Sequence, residues 1–419
     1  MSIDSDEGRD PEGATVVLEN VREPLAPTDA IKERLECSLK RVLAWVEDHH
    51  YRAYEPADGN SSILFPLTMG RVFPMRVIQQ MVLRAPLNIR PFIGVRRHES
   101  AIGRGYMAWA YLLVYRSERA ELSRQRATNC LDWLISNRAS DYGEFCWGDP
   151  YEYATRGGRR PRGEPTLIWS ALIGQVFLEA FEVLHDPRYL EVAKSVGRWV
   201  LKLPFEQTTN GICLSYVAYR QSSIHNSNAM GAAFLARLGR VIASNRCLAV
   251  ARQAMLYTCA RQRSDGSWPY GEEPKYDWVD NFHTGYNLSA LNVYRMFAED
   301  RSFDDHFSIG ARFYLSAFFE SDGRPKYFHN RTYPVDIQCA AQAIETLMSL
   351  AEHHPEAFPM ALKVADWTIT NLQAPDGHFA YRDLGWTKVH TPMLHWGQGT
   401  MAKALAVALE KLQFSVLSL

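Results

Sequence analysis

The chain has 419 residues with 46 Lys and Arg against 47 Asp and Glu, a net charge of −1. That balance excludes the basic field of a dedicated nucleic-acid binder and the acidity of a solvated tail. Hydrophobic residues make up 47%, with 11 Trp, 20 Tyr and 19 Phe, enough for a large globular core. No stretch approaches the roughly 18 uninterrupted apolar residues of a membrane span, and Arg252 breaks the run from Cys247 to Ala260.

Residues 1–28 are polar, with scattered Pro and Gly, and read as a flexible lead-in to a single domain over residues 29–419. They lack the basic start and apolar middle of a secretory signal, so a cytoplasmic location is expected. The seven cysteines are scattered without a CxxC pair, and are expected to be reduced, mostly buried thiols.

From Trp45 onward one pattern repeats. A helix-like segment carrying a bulky anchor runs into a Gly-containing turn, in six copies: Trp45 to Gly59, Trp133 to Gly143, Trp199 to Gly211, Leu256 to Gly266, Tyr314 to Gly323 and Trp367 to Gly377. The segments before the turns, such as VAKSVGRWVLKL, are amphipathic. Those after them, such as ALIGQVFLEAFEVL, GAAFLARLGRVIA and CAAQAIETLMSLAE, are apolar on most sides. Six hairpins of one amphipathic and one apolar helix predict an all-α (α/α)6 toroid, with an open solenoid as the alternative. In the DG turns, glycine accepts positive φ and aspartate bonds its own backbone, so the outer helix stops and the chain reverses. The turns at Gln207, Gln262 and Gln373 resemble the QW motif of triterpene cyclases, which implies a structural brace.

In such a ring the starts of the inner helices converge on one mouth, where unpaired N–H groups favour anionic or hydroxyl-rich ligands. Polar residues recur at those starts: Glu99, Glu164, His225, Asn226, Asp280, Asn281, His283, Tyr286, Tyr333, Asp336, His395, Trp396 and Gln398. Capping needs only one short polar residue, so His, Trp, Tyr and Gln there point to a cleft. Asp280 and Asp336 are the expected acid/base pair of glycoside chemistry, with Glu164 a third candidate. His225, His283 and His395 offer an alternative, proton abstraction beside a sugar carbonyl as in an epimerase. The remaining polar residues would bind sugar. A three-His metal site is a third reading, but no HExxH or other tight ligand spacing supports it, and no metal or cofactor is expected. The loop from Cys146 to Pro165, with Arg156, Arg159, Arg160 and Arg162, would draw in an anionic ligand if it overhangs the mouth.

The strings YEPADG (Tyr54–Gly59), NIRPFIGV (Asn88–Val95), RGEPT (Arg162–Thr166), SIHNSNAMGA (Ser223–Ala232), WVDNFHTGYNL (Trp278–Leu288), YPVDIQCAAQAI (Tyr333–Ile344) and HWGQGTM (His395–Met401) together resemble the VpsJ-type polysaccharide-biosynthesis family. That resemblance implies a helical toroid that makes or trims a glycan, with its site at the same inner-helix ends. The Arg-rich loop departs from it. The expected function is a carbohydrate-active enzyme of glycoside hydrolase, lyase or epimerase type with a carbohydrate or glycoconjugate partner. The alternatives are an isoprenoid cyclase, whose DxDD and DDxxD motifs are absent, and a non-catalytic glycan-binding protein.

Overall fold

A computed structural model describes residues 27–417. Its helices are α1 (Pro27–Asp48), α2 (Val72–Arg84), α3 (Ala101–Glu118), α4 (Glu121–Ser136), α5 (Leu167–Leu184), α6 (Pro187–Val200), α7 (His225–Val241), α8 (Asn245–Cys259), α9 (Asn281–Ala298), α10 (Asp304–Ala317), α11 (Ile337–Leu350), α12 (Ala357–Leu372) and α13 (Thr400–Leu417). The odd-numbered helices from α3 to α13 each pack on the next, and α13 returns to α3. Around this closed inner ring stand α4, α6, α8, α10 and α12, with α1 closing the outer ring against α13 and α12. This is the (α/α)6 toroid expected from the repeats. The lead-in assigned to residues 1–28 lies outside the described residues, apart from Pro27 and Thr28, which open α1.

Sequence decides which helix is inner. α5 is long and apolar enough to cross a membrane by composition, and most of it is buried in the ring. In α6 the buried residues recur at intervals of three and four, including Tyr189, Val192, Val196 and Trp199, so one side stays wet. Each Leu, Ile, Val or Phe enclosed between the rings contributes about 1.5–3 kcal/mol. All seven cysteines are free thiols and six are buried; burial pushes Cys130 up to about 11 and Cys213 up to about 12.

Links from inner to outer helices are short, while those from outer to inner helices are long and lie at one end. The first long link carries the extra helix α2, which has no counterpart in the repeat pattern. The next two carry short antiparallel hairpins: β1 (Tyr153–Thr155) with β2 (Gly158–Arg160), and β3 (Phe205–Thr208) with β4 (Gly211–Leu214). A three-stranded sheet joins β5 (Val335–Asp336), β6 (Arg382–Asp383) and β7 (Lys388–Val389). Backbone pairing also laces five of the six junctions between repeats: Thr166 with Val217, Ile224 with Gly271, Asp280 with Phe328, Asp336 with Arg382, and Tyr54 with Met393.

The turn glycines hold the outer ring together. Gly266, Gly323 and Gly377 have positive φ, and a Cβ on them would meet the backbone of Ile309 in α10, Lys363 in α12 and Arg41 in α1. Gln262 Nε2 donates to Gly266 O (3.1 Å) and His306 O (2.9 Å), and Gln373 Nε2 to Gly377 O (3.0 Å) and Ser38 O (3.1 Å). These two are the braces expected from the QW-like turns. Gln207 is not one, because its amide reaches only Thr208 O. Gly59 also departs from the pattern, sitting in a 3-10 turn against Gln79 and Val82 of α2. Gly377→Ala, which adds a backbone clash to left-handed strain, is expected to destabilise by about 3 kcal/mol in urea unfolding. Gly143→Ala, at positive φ with open space around it, should cost about 1 kcal/mol.

Candidate active site

The converging inner-helix ends enclose a cavity of about 1070 Å³. Five predicted residues lie on its wall: Asn226, His283, Tyr286, Tyr333 and Trp396. Asp280 and Asp336 do not, although both stand at the mouth.

Each aspartate is wholly enclosed and caps an inner helix. Asp280 Oδ1 accepts from His283 N (3.0 Å) at the start of α9, while its Oδ2 faces His283 Nδ1 (2.7 Å) and accepts from Trp278 Nε1 (2.9 Å). Asp336 Oδ1 accepts from Gln338 N (2.9 Å) at the start of α11 and from Trp396 Nε1 (2.8 Å). Its Oδ2 accepts from Arg382 Nε (2.5 Å), whose residue is its cross-strand partner. A third buried aspartate, Asp149, accepts from Trp169 Nε1 at 3.2 Å; burial pushes its carboxyl above the ordinary value. Trp169, Trp278 and Trp396 all line the cavity. Their indoles are thus tethered by buried carboxylates, which fixes the ring faces available to a ligand.

His283 is placed for proton transfer. Its Nδ1 is committed to Asp280, and its Nε2 has no protein partner among the described residues. In the neutral ring this arrangement puts the proton on Nδ1 and the lone pair on Nε2. Tyr270 packs 4.5 Å and Phe282 3.9 Å from the imidazole, ring centre to ring centre. Tyr286 accepts from Gln338 Nε2 (2.9 Å) and shares a hydrogen bond with Tyr106 (3.0 Å).

A second histidine–carboxylate pair lies deeper. His395 Nδ1 abuts Glu55, which also accepts from Ser100 Oγ (2.6 Å) and His395 N (3.2 Å). Burial would raise Glu55, yet His395 and Ser100 bring its carboxyl below the ordinary value. The His395 ring centre lies 5.1 Å from Trp169 and 5.5 Å from Trp396.

The other predicted residues are engaged away from the wall. Both ring nitrogens of His225 are taken, Nδ1 by Pro269 O (2.8 Å) and Nε2 by Glu272 (3.0 Å), and His225 with Arg261 holds the Glu272 carboxyl down at about 2. Glu99 pairs with Arg104, Glu164 accepts from Tyr142 (2.7 Å), and Asn281 accepts from Tyr314 (2.8 Å). Gln398 bonds both the N–H and the C=O of Phe379, so it ties two loops together.

The cavity is strongly basic. Arg76, Arg84, Arg156, Arg160, Arg331 and Arg382 line it, against one carboxylate, Asp277. The Arg-rich loop does overhang the mouth, contributing Arg156 and Arg160, whereas Arg159 pairs with Glu152. Arg160 is 4% exposed. Its Nη1 donates to Tyr219 (2.7 Å), but its Nε and the Oδ1 of Asn226 are buried without a partner, and no carboxylate pairs with it among the described residues. A buried charge and an acceptor left open on one cavity wall mark a ligand site. Arg382 and α2 escaped the sequence reading. Arg382 lies 46 positions from Asp336 and meets it only through strand pairing, and α2 belongs to no repeat.

No protein-family model matches the sequence, and no curated protein sequence matches it. Solved structures do share the fold. Cellobiose 2-epimerase from Bacillus thermoamylovorans superposes with a TM-score of 0.62 at 14% identity, over 76% of this chain and 90% of that one. A family 76 α-mannanase from Bacteroides thetaiotaomicron gives 0.59 at 11%, over 76% and 88%. A family 76 mannosidase from the same organism gives 0.60 at 12%, over 92% of this chain and all of the other. At such identities the likeness establishes a common fold.

Because Arg160 has no counter-charge, Arg160→Met is expected to leave the ligand-free protein as stable or to raise its stability by about 1–2 kcal/mol in urea unfolding. A loss of more than about 2 kcal/mol would mean that the guanidinium is satisfied within the fold.

Proposed function

We propose that the chain is a carbohydrate-active enzyme of the epimerase type, acting by proton transfer on an anionic sugar or glycoconjugate. The observation that carries this reading is the Asp280–His283 dyad, with Nε2 free on the wall of a cavity lined by six arginines. Hydrolysis of a glycoside needs two carboxylates facing the bond. Here Asp280 and Asp336 both have their oxygens taken by donors and neither reaches the wall.

His283 Nε2 removes the proton beside the carbonyl of an opened sugar ring, and Asp280 stabilises the imidazolium that forms. Negative charge then develops on the sugar oxygens. Arg382, fixed by Asp336, and Arg160 supply the fixed positive field that an enediolate requires. Inverting the carbon needs a proton from the other face; the Glu55–His395 pair lies behind Trp169 and Trp396, off the cavity wall, and would deliver it only through an intervening water. The fold likeness to cellobiose 2-epimerase favours this chemistry, and the VpsJ-type resemblance favours a place in polysaccharide assembly. The absence of DxDD and DDxxD motifs argues against an isoprenoid cyclase.

The test is incubation with neutral and uronate-terminated reducing disaccharides in deuterium oxide, followed by NMR. Deuterium should enter at the carbon next to the carbonyl, and His283→Ala should slow that exchange by about 10²- to 10⁴-fold. New reducing ends without deuterium incorporation would make the enzyme a hydrolase. Binding of sugars with no chemical change would leave a glycan-binding protein.

A further inference from the structure

Of the fifteen large apolar residues exposed among the described residues, nine fall between Ile63 and Phe92. This stretch contains α2 and its flanking turns, at the cavity mouth. Phe73, Val77 and Met81 recur every fourth residue and form a stripe along α2. The stripe lies roughly a quarter turn around the helix from Arg76, Gln80 and Leu83, which line the cavity. Ile63, Leu67 and Phe92 extend it, at 72%, 74% and 86% exposed.

The surface is built firmly. Asp58 and Arg90 form a buried ion pair at 2.8 Å, and Arg90 Nη2 also donates to Glu55 O at 3.1 Å. Ile63 N bonds Ile93 O at 3.0 Å, and Gln79 of α2 accepts from Ala154 N of β1 at 3.1 Å. An apolar face of this extent, fixed in place and left uncovered by the described residues, marks a surface that meets something else.

Charge identifies the partner. From Gly59 to His98 the sequence holds six arginines and no aspartate or glutamate, and Arg71, Arg84, Arg96 and Arg97 are exposed. A second copy of the same face would set arginine against arginine. Aromatic and aliphatic anchors mixed with arginine suit the boundary of a bilayer that carries negative headgroups. Trp386, 75% exposed and also on the cavity wall, adds an amphipathic ring of the kind that settles at that boundary.

We propose that this face docks on an anionic lipid surface, without spanning it, and so presents the cavity mouth to glycans held at the headgroups. The test sediments the full chain with vesicles of phosphatidylcholine alone or mixed with phosphatidylglycerol. Binding is expected with the anionic vesicles and should weaken as salt rises. The double variant Phe73→Ser, Phe92→Ser should bind at least about tenfold more weakly, and Arg71→Gln and Arg96→Gln about fivefold each. Because these side chains are exposed, the variants should keep the wild-type unfolding midpoint. Failure of the wild type to sediment with anionic vesicles overturns the proposal. So does a dimer on size exclusion that the Phe73→Ser, Phe92→Ser variant dissolves, which would assign the face to a second copy.

Discussion

The mouth of the ring depends on backbone pairing between successive repeats. The residue just before an inner helix pairs with the loop of the following repeat, at Thr166, Ile224, Asp280 and Asp336, and Met393 closes the circle on Tyr54. These inner helices therefore begin where two loops meet. Its first polar side chain is delivered into the seam between them and must find its partners there.

Carboxylates in that seam are cut off from water, and an unpaired buried charge is costly. Each is surrounded by donors: His283 and Trp278 on Asp280, Arg382 and Trp396 on Asp336, Trp169 on Asp149. The donors, with one end held by the buried acid, present their remaining surface to the cavity. Stability and chemistry thus divide between neighbouring residues. The acids hold the structure at the helix starts, while the imidazole, guanidinium and indoles face the cavity. Arg160 stands outside this arrangement, since it is buried with no acid beside it among the described residues, and this open position is the strongest argument for an anionic ligand.

The ring was legible in the sequence because its signals are local. A glycine in the turn after five of the six outer segments, and the alternation of amphipathic with wholly apolar helices, each depend on a few adjacent residues. The polar clusters at the inner-helix starts were legible for the same reason. Which atoms face the cavity was not. Asp280 is enclosed because Trp278 and His283, close to it in sequence, fold over it, while Arg382 reaches Asp336 only through pairing of β5 with β6. His225 and Gln398 look like ligand-binding residues by type, yet Glu272 and the Phe379 backbone occupy them. The apolar stripe of α2 runs against the burial rule and cannot be placed inside or outside without coordinates.

The central claim is that Asp280 holds His283 with its Nε2 toward a substrate whose negative group lies on Arg160. A crystal structure with a bound uronate-terminated sugar tests this most directly. The account predicts a sugar carbon within about 3.5 Å of His283 Nε2 and the carboxylate within hydrogen-bond reach of Arg160 Nε. A sugar bound elsewhere in the cavity, or a His283 ring turned away from Asp280 when the ligand is present, would contradict it.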